Sequence, residues 1–219
     1  MTSPTTAGLK GLPLFEDVSE ATASLYGLRA APRNLKAGED LFHSGDARTH
    51  AWFVRSGWLR IRVHSPGGHE STVELLGAGE MCAAAACFGR ATYPHGATAL
   101  TDATAVGVPT SGFERWLQND ARASWRVAET LGRRQLETSL LRAINAEQAP
   151  MRLKLTLSWL SRKFGPRIPA TRSLLADLTG LRPETCSRAL SVMRRHGLIR
   201  VSPGLILVLR ADELGTMPA

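Results

Sequence analysis

The chain has 219 residues, 27 Lys and Arg against 19 Asp and Glu, a formal charge of +8, and 3 Cys. That length suits one large or two modest domains with real cores. Three cysteines with no C-x-x-C spacing, and no signal peptide pattern at the N-terminus, argue for a reducing cytoplasm rather than a disulfide framework.

The charge is uneven. Residues 147–219 hold 12 Lys and Arg against 5 Asp and Glu, whereas residues 1–146 hold 15 against 14. A near-neutral body joined to a basic end is the footprint of a nucleic-acid reader. A membrane-surface helix would concentrate its cations opposite bulky apolar residues, and the longest apolar run, Met81 to Phe88, is far short of a bilayer span.

Residues 1–8, rich in Thr, Ser, Pro and Gly, are expected to be disordered. Leu14, Phe15, Val18, Leu25 and Leu28, entered by Pro13, predict one or two short helices. From Lys36 to Asp46 short apolar pieces sit between Gly and Asp turns, as strands do. Alternation in Trp58–His64 puts Leu59, Ile61 and Val63 on one face and Arg60 and Arg62 on the other. Pro66-Gly67-Gly68 turns the chain, Ser71–Leu76 returns as a strand, and Gly77–Glu80 turns again. Met81–Cys87 is Ala-rich and helix-prone. Strands resume at Ala97–Thr101 and Ala103–Val108. Many short strands broken by Gly point to a jelly roll or barrel.

Ser111 to Ala146 reads as helical. Trp125, Ala128, Gly132, Leu136, Leu140 and Ala143 recur at spacings of three and four, broadened by Val127, Leu131, Leu141 and Ile144. Such a stripe is either core against the roll or a seam between two copies. Pro150 marks a break before a helix over Met151–Phe164.

Thr171 is placed to cap a short helix carrying Leu174, Leu175 and Leu178, which Gly180 ends. A turn through Leu181 and Arg182 leads to Pro183 at the first position of a second helix, where its missing N–H costs nothing. That helix buries Thr185, Cys186, Ala189, Leu190 and Met193 and stops at His196-Gly197. Apolar runs Leu198–Val201 and Leu205–Leu209 flank Ser202-Pro203-Gly204 as a hairpin. Helix, turn, helix, hairpin is a winged helix-turn-helix. Glu184, Ser187, Arg188 and Arg195 face away from the apolar stripe. The first turns of a recognition helix enter the major groove, where Arg grips guanine O6 and N7 and Glu accepts from cytosine N4. A solvated face on an ordinary helical hairpin is the bland alternative. The agreement of cap, turn, proline and hairpin argues against it.

The run Glu184-Thr185-Cys186-Ser187-Arg188, with Thr171-Arg172 and Leu198-Ile199, resembles the C-terminal domain of the Crp/Fnr family of bacterial transcription regulators. The resemblance implies that Glu184 and Arg188 read bases, with Ser187 beside them. It implies phosphate contacts for Thr171 and Arg172, joined by Ser173 and Arg195. Pro183 stands where catabolite-activator-like members carry Arg. The arrangement is instead similar to the Fnr/Dnr branch, which implies a palindrome of TTGAT-like half-sites. Gly38-Glu39, Phe42-x-x-Gly45-Asp46, Gly57, Gly79-Glu80 and Ala99-Leu100-Thr101-Asp102 resemble the family's cyclic-nucleotide-binding-type β-roll. Together these imply an α+β protein: a roll with an N-terminal helical segment over residues 1–110, a linker and dimerisation helix over 111–146, and a winged helix-turn-helix over 147–219. Leu131, Leu136, Leu140 and Leu141 are the expected seam of a homodimer. Two recognition helices about 34 Å apart then meet double-stranded DNA on one face. RNA polymerase is the further partner implied, and no membrane.

Cyclic-AMP binders of this family clamp the phosphate with an Arg-Ser pair. Anchoring on Ala99–Asp102 puts Tyr93-Pro94 there, which supplies neither a cationic fork nor a hydroxyl on the second residue. Cyclic AMP is therefore disfavoured, although Glu80 stands at the ribose position. An iron–sulfur sensor needs four ligands, several near the N-terminus, and no Cys precedes Cys82. Haem stays open, since Met81, Cys82, Cys87 and His95 surround the place where the family's carbon monoxide sensor keeps its ligands, although the spacing differs. Leu12-Pro13 stand where Dnr-type nitric-oxide regulators keep His. Glu80, Met81, Cys82, Tyr93 and His95 are thus the candidate effector pocket, for haem with nitric oxide or another redox signal. Cys82 and Cys87 fit packing better than thiol sensing. No metal site is indicated. No Ser-His-Asp texture, H-E-x-x-H or G-x-x-x-x-G-K occurs, so no enzyme is expected. A cyclic-AMP-responsive regulator and an effector-independent scaffold roll are the alternatives.

Overall fold

The computed structural model describes residues 8–82 and 91–215. The disorder expected before Gly8 and the helix-prone stretch beyond Cys82 lie outside the described residues. The chain divides into two compact units, residues 1–132 and 133–219.

In the first unit a 3-10 turn (Pro13–Phe15) precedes helix α1 (Glu20–Tyr26). Ser19 caps α1, its hydroxyl accepting from the Thr22 N–H at 3.1 Å. Among the described residues eight strands follow: β1 (Ala31–Leu35), β2 (Asp40–Phe42), β3 (His50–Ser56), β4 (Leu59–His64), β5 (Glu70–Leu76), β6 (Met81–Cys82), β7 (Gly96–Ala99) and β8 (Ala103–Pro109). They pair antiparallel in two four-stranded sheets, ordered β1-β8-β3-β6 and β2-β7-β4-β5.

Successive side chains on a strand point to opposite faces, and strands β3, β6 and β8 of the first sheet bury residues on both. Val54, Cys82 and Ala105 point into the roll and pack with Phe42, Ile61, Leu76 and Tyr93. Their chain neighbours Phe53, Met81 and Val106 point outward and join Leu9, Leu12, Phe15, Phe113 and Trp116. β8 is therefore an almost continuous apolar run instead of an alternating one. Met81 and Cys82, expected to open a helix, form β6 by pairing with Phe53 and Trp52; burial on both faces overrides local helix propensity. Gly57 turns β3 into β4 at φ +77°, where an added Cβ would lie 2.4 Å from the Asp102 carbonyl oxygen.

Helices α2 (Thr110–Asn119) and α3 (Ala121–Ile144) follow the roll. The single helix expected over this stretch is broken at Asp120. Its carboxylate accepts from the N–H groups of Arg122 and Ala123 at 3.0 and 3.1 Å and from the Trp116 indole at 3.0 Å. Asp120 thus starts a new helix as its cap.

The second unit begins within α3 and continues with α4 (Ala149–Phe164), β9 (Arg167–Ile168), α5 (Arg172–Thr179), α6 (Pro183–Arg195), β10 (Ile199–Ser202) and β11 (Leu205–Val208). Pro150 sits in the first turn of α4, where no N–H is required of it. The last strands form an antiparallel sheet ordered β10-β11-β9. Helix α4 packs on α5 and α6, and α6 on β10, around Leu153, Leu157, Leu175, Leu190 and Ile206, all buried.

Candidate nucleic-acid interface and effector pocket

Thr171 caps α5 from extended backbone, its Oγ1 accepting from the Leu174 N–H at 3.1 Å. Gly180 ends the helix at φ +61°. Thr171, Arg172 and Ser173 are exposed around that N-terminus, where free N–H groups and the helix dipole attract an anion.

Helix α6 opens on Pro183 after an extended Arg182 and has no side-chain cap. Its first-turn N–H groups are left for water or a ligand. Glu184 in that turn and Arg188 one turn on are exposed, with Ser187 half-buried beside them. The Arg188 Nη2 lies 3.5 Å from the Thr185 hydroxyl, a separation too long to hold it. Arg195 is exposed in the last turn, about 16 Å along the axis from Glu184. Cys186, Ala189, Leu190 and Met193 form the buried stripe, whereas Thr185, expected in it, is half-buried. Burial pushes the Cys186 thiol up to about 11, only partly offset by Arg172, so it is a packing group. Arg182 is an exposed cation at the entry of α6 that sequence reasoning left as a turn residue.

On α3 the expected stripe splits. Val127 is buried and Leu131 half-buried against the core outside the roll. Trp125 and Leu136 stay 68% and 67% exposed in a single protomer. Leu140 and Leu141 are half-buried.

Of the residues expected to line the effector pocket, Cys82 and Tyr93 share the core inside the roll, whereas Met81 joins the core outside it. The Glu80 carboxylate accepts from the Gly77 N–H at 2.9 Å and closes the turn before β6. Met81 and Cys82 are both buried but face opposite sides of their strand, into different cores. Met81 and Cys82 therefore cannot both serve one haem iron. Cys87 lies outside the described residues. Tyr93 is buried, its ring stacked on Phe42 with centroids 3.9 Å apart. Its hydroxyl donates to the His50 carbonyl at 2.8 Å and accepts from the Trp52 indole at 3.1 Å. His95 is half-buried, with no hydrogen-bond partner for Nδ1 among the described residues. Among the described residues no group of three or more His, Cys, Asp or Glu is arranged to hold a metal ion, and no helix is long and apolar enough to cross a membrane.

Residues 32–120 match the cyclic nucleotide-binding domain family, and residues 151–217 match the Crp-like helix-turn-helix domain family. A ligand-type roll joined to a winged helix-turn-helix defines a DNA-binding regulator. The Cyclic AMP receptor protein of Thermus thermophilus is 28% identical over 208 residues, which cover 94% of this chain and 96% of its own. Transcriptional activator protein FnrA of Stutzerimonas stutzeri is 28% identical over 203 residues, covering 84% and 78%. The fold of FixK2 from Bradyrhizobium japonicum superposes with a TM-score of 0.74 at 17% identity, covering 85% of this chain and 96% of that one. The chain belongs to the Crp/Fnr family, whose members are transcription regulators and not enzymes.

Proposed function

We propose that this chain is a cytoplasmic, homodimeric regulator that binds a palindrome of TTGAT-like half-sites and answers to an effector other than cyclic AMP. The observation behind the base reading is the exposed pair Glu184 and Arg188 in the first turns of α6, with Ser187 between them. Arg188 reads guanine and Glu184 accepts from cytosine. Thr171, Arg172, Ser173 and Arg195 take phosphates and set the register. The seam is α3, where Leu131, Leu136, Leu140 and Leu141 meet a second copy; the exposure of Trp125 and Leu136 in one protomer supports this. RNA polymerase is the partner through which the bound dimer acts.

Tyr93 supports the effector reading. It stands where a phosphate-clamping Arg is expected, and its hydroxyl is spent on the roll's own backbone and on Trp52. A second reading, control by cyclic AMP, is favoured by the name of the Thermus relative. With no cation at Tyr93-Pro94, no hydroxyl on Pro94 and the Tyr93 hydroxyl already engaged, the phosphate has no fork to meet it. A roll that binds no effector and serves only as a dimer scaffold is the remaining alternative.

Selection from random duplexes is expected to return an inverted TTGAT-like repeat. Arg188→Ala then costs about 1–3 kcal/mol at its guanine and relaxes that position, while Arg172→Ala weakens all sites alike. A uniform loss from both variants refutes the base-reading assignment. Added cyclic AMP is expected to leave site affinity unchanged; a tenfold tightening moves the chain to the second reading. An absorbance scan of the purified protein reports haem by its Soret band.

A further inference from the structure

Lys163, in the last turn of α4, is held on three sides. Its Nζ lies 2.9 Å from the Oε2 of Glu137 on α3, 5.2 Å from the centre of the Trp159 ring and 5.1 Å from that of Phe164. Both rings are within the range at which an ammonium is drawn to an aromatic face. Trp159 stands one helical turn before Lys163, so the two share a side of α4. The Phe164 ring meets the Trp159 ring edge-on, with centroids 6.5 Å apart. The side chains of Lys163 and Glu137 are only 13% and 26% exposed. A charge pair so far withdrawn from water is screened little by salt, unlike one on the surface.

All four residues lie in the second unit, which begins at Arg133 within α3. The same turn of α3 carries Leu136, exposed on the expected seam, and Glu137, engaged by α4. About 10.5 Å further along its axis α3 ends at buried Ile144 and passes within four residues into α4. One point of attachment lets a helix pivot; two points that far apart fix its direction. We propose that Lys163 is a positioning residue for DNA recognition: by clasping Glu137 it makes the distal part of α3 a rigid arm of the DNA-reading unit, so that the pairing of two α3 helices sets the separation of two α6 helices. The inference rests on α3 being the dimer seam and α6 the base-reading helix. Lys163 meets no base or phosphate in this role. It acts through α3 and α4, and α4 packs directly on α6.

The test measures how strictly the full-length protein selects the spacing between half-sites. Each base pair added between them moves them apart by about 3.4 Å and turns one about 35° around the duplex. Residues in direct contact couple by about 2- to 160-fold in an equilibrium constant. The wild type is therefore expected to lose about tenfold in affinity for one added pair, and Lys163→Met less than about threefold. Glu137→Gln is expected to relax the spacing as much as Lys163→Met, and the double variant, which removes both charges, no further. Lys163→Arg keeps a cation between the rings and the carboxylate and is expected to retain the wild-type selectivity. Affinity for a single half-site, base preference there and sedimentation as a dimer are expected to stay unchanged, whereas lost stability alone would weaken every spacing alike. A wild type indifferent to spacing, a Lys163→Met variant with wild-type selectivity or weakened by one factor on all spacings, or relaxations that add in the double variant overturn the proposal and leave the α6 reading intact. A wild type that sediments as a monomer or shows no base preference overturns the proposed function, and this inference with it.

Discussion

Tyr93→Phe removes one oxygen from the wall of the roll. A phenol can make three hydrogen bonds, and this one makes them: it donates to the His50 carbonyl at 2.8 Å and accepts from the Trp52 indole at 3.1 Å and, more weakly, from the His50 N–H at 3.4 Å. The Phe ring keeps its stack on Phe42, so no cavity opens. A carbonyl and an indole N–H lose their partner, and each such loss costs about 1–3 kcal/mol when water cannot reach the group. His50 and Trp52 are only half-buried, which brings the expected net loss to about 2–3 kcal/mol. For a chain of this size that is roughly 4–12 °C in Tm. Urea unfolding followed by tryptophan fluorescence suits the measurement, since four of the five tryptophans precede residue 133. A loss under about 0.5 kcal/mol would refute the claim that this hydroxyl pins the pocket region to β3.

Thr171→Ala deletes the cap of α5 and is expected to cost about 1 kcal/mol in the second unit, with DNA affinity falling too; circular dichroism melts and gel shifts report the two effects. Gly57→Ala forces a Cβ to 2.4 Å from the Asp102 carbonyl oxygen at positive φ, and about 2–5 kcal/mol of destabilisation is expected in a denaturant melt. Leu136→Glu places a charge on the α3 stripe and is expected to give monomers by sedimentation while leaving each protomer folded, because Leu136 is 67% exposed there. For Asp40, burial pushes the carboxyl up, but the Thr98 hydroxyl, Arg62 and His43 outweigh it and hold it below the ordinary 3.8. A depressed folded-state pKa gives stability that is present above about pH 4 and lost as pH falls through the depressed value. Urea midpoints measured from pH 5 down to pH 2 are expected to fall less in Asp40→Asn than in the wild type.

The helix-turn-helix was legible because its punctuation is local. Thr171, Gly180 and Pro183 each act on their own helix end, and the buried stripe of α6 repeats at 3.6 residues. Strand β4 was legible for the same reason, since Leu59 and Ile61 alternate with Arg60 and Arg62 against a single core. Strands β6 and β9 were not, because each is two residues long and exists only through its partner strand. The break at Asp120 carried a cap signal that the apolar periodicity on either side concealed. The periodicity of α3 could not separate Val127 and Leu131, which face the core, from Trp125 and Leu136, which face out. At the candidate interface the exposed positions of α6 were legible, whereas Arg182, an exposed cation at its entry, read only as part of the turn.

The strands β3, β6 and β8 are a party wall with a furnished room on each side. Deleting one residue within β8 would turn Val106 and Val108 inward and Ala105 outward, handing bulky groups to a space shaped for small ones and the reverse. Length in this strand is therefore guarded more strictly than side-chain identity: a change of residue perturbs one chamber, but a change of count exchanges the contents of both.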